Sequence, residues 1–309
     1  MGCSGGADSS ALVLALADAT DDLVVAHVVH DLRPREQALA DRNAVRELAR
    51  SLNLPFAEAE VCVTGTVAAN RSTNLEARAR EARYAALARI ANVHRAKYVA
   101  VAHHADDQLE TVLMALLRGS GARGLAGAAA KRRLEPGIWL IRPMLEGGLG
   151  RGDAERICAG RGWEWREDLT NRDTSRLRAA VRHKVLPLLE QLRPGVSRRV
   201  ALSAGHMRGL SRLLNTATDQ LWLARTEHGG EVSWPRKLLR AQAEVVVGDL
   251  LRKACSEVAG AKGADARGAR AVGPAVRAVR DRGTDPREFR LAGATVAVDS
   301  RHVRVKAGI

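Results

Sequence analysis

The chain is poor in aromatic residues, with five Trp, two Tyr and two Phe among 309 residues, too few for a platform on which several bases stack in a row. Its four cysteines, Cys3, Cys62, Cys158 and Cys255, lie far apart with no Cys-x-x-Cys spacing. Neither a zinc site, an iron–sulfur site nor a redox pair is suggested, and the thiols are expected to be reduced and incidental. No apolar run approaches the ~20 residues that cross a bilayer, and the chain does not open with the basic, apolar and cleavage segments of a secretory signal. A cytoplasmic protein with no membrane partner is expected. Acidic residues are also in deficit, with 35 Asp and Glu against 49 Lys and Arg, a formal net charge of +14. That charge favours a polyanionic partner such as nucleic acid, although a chain rich throughout in Ala, Arg, Gly and Val reaches the same charge through genomic bias alone. If RNA binds, phosphate contacts and shape are expected to carry it.

What is present begins at Ser4-Gly5-Gly6-Ala7-Asp8-Ser9-Ser10, a glycine-rich turn that runs into the apolar stretch Ala11 to Leu16. Two glycines allow a tight turn and a close backbone approach to an anion. The helix that follows offers unpaired N–H groups and the positive end of its dipole. There is no Gly-Lys-Ser/Thr and no lysine near the turn, so this is not a Walker A loop. Hydroxyls of Ser4, Ser9 and Ser10 would supplement the backbone donors, and Asp8 is the residue to hold a Mg²⁺ that touches the phosphates. The plainer alternative makes Asp8 the N-cap of the helix. The Ser-Gly-Gly-x-Asp-Ser pattern resembles the pyrophosphate-binding loop of N-type ATP pyrophosphatases, which cut ATP between its α and β phosphates.

Strand and helix patterns then alternate. Leu23 to Val29, Ala57 to Val63, Lys97 to Ala102 and Ile138 to Ile141 read as strands; Glu36 to Leu52, Asn74 to His94, the run up to Arg118 and Gly150 to Gly160 read as helices. The alternation predicts an α/β fold with a parallel sheet and right-handed crossovers. Ligands in such sheets bind beyond the strand carboxyl ends, so the glycine loop, His30 and His103 should converge. Only Met1-Gly2-Cys3 precede the loop, fewer residues than a supporting strand needs. The expectation is an upstream extension, or reduced stability and weak ATP binding in the chain as it stands. Leu192 to Gly195 reads as a hinge, with helix continuing through Trp222 and a hairpin between Phe289 and Lys306. Ala259 to Arg282 is either a basic helix or a loop. The division expected is 1–191 for a nucleotide-binding domain and 192–309 for a smaller, mainly helical domain.

An ordered set of motifs resembles the tRNA(Ile)-lysidine synthetase family. It comprises the glycine loop, His30-x-Leu32-Arg33-Pro34, Glu76-Ala77-x-Ala79-Arg80-x-Ala82-Arg83-Tyr84, His103-x-x-Asp106-Asp107-Gln108-x-Glu110-Thr111, Arg118-Gly119-Ser120-Gly121, Arg142-Pro143, and Glu167-Asp168-x-x-Asn171-x-Asp173 leading to Arg178 and Arg182. The set spans about the first two-thirds of the chain. Asp31, Leu169, Arg176 and Ala179 stand where the family usually has glycine, proline, an aromatic and asparagine.

The resemblance implies an adenine nucleotide alpha-hydrolase-like catalytic domain that uses ATP and Mg²⁺. It implies attack of the wobble cytidine of tRNA(Ile) with anticodon CAU on the α-phosphate, then displacement of AMP by free L-lysine. Ser4, Gly5, Gly6, Ala7, Asp8, Ser9, Ser10 and His30 would bind ATP, and Asp8, His103, Asp107 and Glu110 would be catalytic, the last three gripping and deprotonating the lysine amine. Arg80, Arg83, Arg118, Arg178 and Arg182 would meet tRNA phosphates or the cytidine intermediate, unless their helix faces are merely solvated. Monomer or homodimer is left open. A tRNA cytidine 2-thiolation enzyme is the nearest rival but is expected to need clustered cysteines. A non-catalytic ATP-binding module would not demand Asp8 or the His103 to Thr111 constellation.

Overall fold

A computed structural model describes residues 1–32, 34–63, 75–166, 177–260, 269–291 and 293–308, and the side chains of all of these except residues 75, 76, 269 and 270. Arg33, the Glu76 side chain, Glu167 to Asp173, Leu169 and Arg176 therefore lie outside the described residues. The chain separates into two compact units, Met1–Leu113 with Ala128–Ala204, and Met114–Gly127 with Gly205–Ile309.

In the first unit the elements run α1 (Ala7–Ala17), β1 (Val25–His30), α2 (Arg35–Ser51), β2 (Phe56–Val61), α3 (Leu75–Val93), β3 (Tyr98–Ala100) and α4 (Ala105–Leu117), whose last turn is counted with the second unit. After α5 (Ala122–Leu125) in the second unit come β4 (Lys131–Glu135), β5 (Ile138–Ile141), α6 (Pro143–Glu146), α7 (Arg151–Gly160), α8 (Leu177–Ala180), a π-turn (Val181–Val185) and α9 (Leu186–Leu192). β1 pairs in parallel with β2, and β3 in parallel with β5, on whose far side β4 runs antiparallel.

Met1 to Cys3 bridge the two groups of strands. Cys3 N–H donates to Ala26 O at 2.8 Å, Ala26 N–H to Met1 O at 2.8 Å, and Gly2 N–H to Ala100 O at 2.9 Å. Three residues thus fill the central position between β1 and β3, where strand order reverses, and hand the glycine loop to the carboxyl edge. One core sits between α1, α7 and the sheet, built from Leu12, Val13, Val25, Leu48, Met144 and Ala154; a second, with Leu87, Val99 and Leu140, lies under α3. β4 escapes the sequence pattern because Lys131-Arg132-Arg133 offers no apolar alternation; its edge position lets those charges stay in water.

The second unit is helical with a five-stranded sheet. α10 (Val196–Leu223) begins in the first unit and continues here, followed by β6 (Thr226–His228), β7 (Glu231–Pro235), α11 (Arg236–Arg240), α12 (Glu244–Ala259), α13 (Ala269–Arg280), β8 (Arg287–Leu291), β9 (Ala294–Val298) and β10 (His302–Ala307). The strands lie in the order β6-β7-β10-β9-β8, every pairing antiparallel. α12 and α13 pack on it around Trp234, Leu250, Val279 and Val303. The hairpin expected between Phe289 and Lys306 is β9 with β10, extended by β8, and the described part of the undecided Ala259 to Arg282 stretch is mostly α13.

Two buried charges tie this unit together. Arg236 is 5% exposed, and its guanidinium donates to the carbonyls of Ala278, Val279, Asp281, Gly283 and Asp299. It thereby closes the last turn of α13, where carbonyls have no partner of their own. Asp249, 2% exposed, accepts from Thr218 Oγ1 at 3.0 Å, Arg252 at 2.9 Å and Arg123 at 2.6 Å. The last of these fastens α5 to α12. Among the described residues no helix is long and apolar enough to cross a membrane.

Candidate active site

The glycine loop is stapled by its own serine. Ser9 Oγ accepts from Ser4 N–H at 3.1 Å, lies 3.2 Å from Ser4 Oγ and donates to Gly6 O at 3.1 Å. Gly5 has φ +91°, which a side chain would adopt only under strain. Gly6 is the N-cap of α1, and Asp8, in the first turn, makes no capping hydrogen bond. The N-cap position thus belongs to Gly6 and not to Asp8. Its Oδ1 is buried and accepts no hydrogen bond, the situation of an oxygen reserved for a ligand. Among the described residues no group of three or more His, Cys, Asp or Glu is placed to hold a metal. Mg²⁺ tolerates one carboxylate with phosphate and water oxygens as its remaining ligands, so Asp8 fits such an ion.

Four residues connect β3 to α4, whose first turns distribute the acidic motif among separate tasks. Asp106 accepts from Arg151 N–H at 2.8 Å, capping α7. Gln108, fully buried, brackets Ala128 by donating to its carbonyl at 3.2 Å and accepting from its N–H at 2.9 Å. Thr111 Oγ1 donates to Asp107 O at 2.8 Å. These three are structural. Asp107 meets the loop through His104, while Glu110 lies under Arg178 and Arg182 and His103 beside Arg80.

His104, which the sequence reading passed over in favour of His103, is the hinge of the site. It is 4% exposed, and its Nε2 lies 3.5 Å from both Asp8 Oδ2 and Asp107 Oδ2. Burial opposes its protonation, but Asp8, Asp107 and Asp106 outweigh burial and raise its pKa. Asp107 shows the reciprocal effect: burial would raise its pKa, yet His104, His103 and Arg182 hold it below the usual carboxylate range. His103 goes the other way. Burial, with Arg80, Arg142 and Arg178 nearby, pushes its pKa down to about 4, so the ring is neutral near pH 7.

Glu110 is 1% exposed beneath two guanidinium groups. Arg178 Nε donates to its Oε2 at 3.0 Å, and Arg182 reaches both its oxygens and Asp107 Oδ1 at 3.1 Å. The expected pair of arginines on one helix face does converge, with the π-turn carrying Arg182. Their first partner is a carboxylate rather than open solvent. Both Glu110 oxygens are thus engaged by guanidinium groups.

A basic pocket adjoins His103. Arg80 Nη2 lies 3.5 Å from His103 Nε2 and donates to Tyr84 Oη at 3.3 Å. Arg132 stacks over the Tyr84 ring at 5.0 Å. Arg142 is 3% exposed, donates to Ala129 O, and leaves Nε with no partner. Among the described residues none of these three guanidinium groups meets a carboxylate. The Asp31 carboxylate accepts from Val63 N–H at 2.7 Å and from the Cys62 thiol at 3.1 Å, clasping the ends of β1 and β2.

A family model described as a PP-loop domain matches residues 1–189. The chain belongs to the PP-loop family. Among curated proteins it is similar to tRNA(Ile)-lysidine synthases from Geobacter sulfurreducens, 38% identical over 81% of this chain and 55% of that protein, from Deinococcus deserti, 39% over 78% and 42%, and from Thermus thermophilus, 42% over 64% and 37%. The chain thus spans about half the length of the curated relatives it matches. Among solved structures, a U34-tRNA thiolase from Methanococcus maripaludis, with its 4Fe-4S cluster, superposes with a TM-score of 0.50 over 70% of each chain at 16% identity. That likeness speaks for the fold, a parallel-sheet PP-loop nucleotide-binding domain.

The PP-loop unit therefore brings together Ser4, Ser9, Asp8, His103, Asp107, Glu110, Arg80, Arg178 and Arg182. His30 ends β1 and is half-buried at the same carboxyl edge. Arg83 is exposed on α3, and Arg118 is exposed just past α4 in the second unit. His104 carried a faint signal, adjacency to His103 at a strand end. Arg142 and Tyr84 stood in the motifs without a role. All four cysteines are free, and burial pushes the Cys158 and Cys255 thiols up to about 11, where a thiol is inert.

Proposed function

We propose that this chain ligates free L-lysine to C2 of the wobble cytidine of tRNA(Ile) with anticodon CAU, using ATP and Mg²⁺ and releasing pyrophosphate and AMP. The observation that carries the reading is the junction at His104, where Asp8 of the phosphate loop and Asp107 of the motif helix share one buried imidazole. Both halves of a two-step reaction thus meet at one place, with residues 1–191 taken as the catalytic part and 192–309 as the part that binds RNA. The lysidine synthase relatives support it.

The chemistry follows from the charges. Cytidine O2 is a poor leaving group, so it must first take the adenylyl group while pyrophosphate departs. The loop N–H groups and the start of α1 bind the phosphates. Mg²⁺ held by Asp8 would supply neutralising charge. In the second step the lysine amine, with a reference pKa of about 10.4, must be uncharged. Arg80, Arg142, Arg178 and Arg182 around His103 oppose a further positive charge and so favour the neutral amine. The uncharged His103 ring offers an acceptor to orient it, and ionised Asp107 attracts the ammonium form on entry. Glu110 acts by holding Arg178 and Arg182 toward the adenylate.

The test incubates the chain with ATP, Mg²⁺, the CAU-anticodon tRNA and either labelled lysine or a sulfide source, then digests the RNA to nucleosides. Lysine-dependent product is expected. Sulfur incorporation without lysine, or ATP retained uncleaved, would overturn the reading.

A further inference from the structure

One tyrosine and one tryptophan of this aromatic-poor chain stand side by side on one face of the PP-loop sheet, next to its edge strand β4. Tyr98 of β3 and Trp139 of β5 are register partners, and Arg133 of β4 is the partner of Trp139 on the other side. Register partners project from one face, and Lys131, two residues from Arg133, shares it. Lys131 Nζ lies 5.4 Å from the Tyr98 ring centroid and 4.8 Å from that of Trp139. Even so the rings remain 52% and 38% exposed.

A lysine on an edge strand ordinarily deters unwanted strand pairing. That explains Lys131 and Arg133 but not two large rings kept in water beside them. Neither cation forms an ion pair among the described residues, and the hairpin's one carboxylate, Glu135, lies past the register irregularity and accepts from Asn92 at 3.5 Å. A purely apolar partner would bury Lys131 unpaired. A partner with flat π-faces and regularly spaced negative charge satisfies every group.

We propose that this face docks RNA, one base stacking on the Tyr98 and Trp139 rings while Lys131 and Arg133 meet the neighbouring phosphates. The proposal rests on the reading of tRNA as the partner. Tyr98 precedes His103 by five residues, about 16 Å along an extended chain. The contact therefore holds a part of the RNA other than the reacting nucleotide. A single stacking step needs no aromatic-rich platform, which reconciles the surface with the composition.

The experiment measures tRNA affinity of the full chain by fluorescence anisotropy across a salt series, with ATP affinity as control. Trp139→Leu and Tyr98→Leu keep apolar bulk but remove the π-face, and each is expected to weaken binding about 5- to 20-fold with an unchanged salt slope. Trp139→Phe should retain most of the affinity; an equal loss in the Phe and Leu variants overturns stacking. The double variant Lys131→Gln, Arg133→Gln should flatten the slope of log affinity against log salt by about 1 to 2. Equal affinity and slope in all variants overturns the proposal. Patch-dependent tRNA binding without lysidine formation upholds it while the ligation reading falls; lysidine formation with indifferent variants does the reverse. A wild type that binds no tRNA overturns both.

Discussion

The two units treat buried charge in opposite ways. In the carboxyl-terminal unit Arg236 satisfies five carbonyls and Asp249 collects Thr218, Arg252 and Arg123. In the PP-loop unit Asp8 Oδ1 and Arg142 Nε are buried without partners among the described residues, and Arg80, Arg132 and Arg142 crowd Tyr84 with no carboxylate among those residues to offset them. A satisfied network specifies a structure; an unsatisfied one stores a demand that a ligand meets. Burial alone does not separate them, since Arg236 and Arg142 are comparably hidden. The accounting of partners does.

The largest effect should come from the unsatisfied side. Asp8→Asn removes the charge that would hold Mg²⁺ and is expected to lower pyrophosphate release by about 10³-fold or more, while the thermal midpoint stays the same or rises. Normal release from this variant would break the contrast at its centre.

The satisfied side should answer in stability instead. Arg236→Met leaves five carbonyls to find other partners and is expected to cost about 3–5 kcal/mol, read from the denaturant midpoint. Pyrophosphate release per folded molecule should not change. A cost under about 1 kcal/mol would mean that water replaces the guanidinium and that the network is not structural.

Acid sharpens the comparison further. His103 has a folded pKa of about 4, below its ordinary 6.5, so the unfolded chain binds its proton first and stability drains away as pH falls from 6.5 toward 4. His104, with its pKa raised, contributes stability that is full below 6.5 and lost as pH rises through the folded value. His103→Gln should therefore flatten the decline in urea midpoint between pH 6.5 and 4.5. An unchanged decline would place the acid sensitivity elsewhere.

The smallest effect belongs to Asp31, which clasps Val63 and Cys62 at an exposed turn. Asp31→Asn keeps an acceptor and should cost no more than about 1 kcal/mol, with the KM for ATP unchanged. A large rise in that KM would place the carboxylate beside the nucleotide instead.

Much of the PP-loop unit was legible because its signals are local. The β-branched run before His30, the amphipathic pattern of α2 and the long arginine-rich run of α3 each announce one element, and Ser-Gly-Gly-x-Asp-Ser marks a turn only glycine makes easily. β4 was not legible, because an edge strand of Lys and Arg carries no apolar alternation. Neither were β6 and β7, short strands whose burial depends on a sheet completed by β10, far along the chain.

The sequence by itself determined most of the order of strands and helices in the PP-loop unit, the glycine loop and the acidic helix start, since backbone sterics and hydrophobic periodicity act over a few neighbouring residues. Which polar groups would find partners was decided only in three dimensions. Asp106, Asp107 and Glu110 look alike along one helix, yet one caps α7, one shares His104 with Asp8, and one lies under Arg178 and Arg182. Their roles depend on residues 45 to 99 positions away in either direction, and only the packing of α1, α4 and α7 on the sheet brings those charges within the few ångströms at which they act.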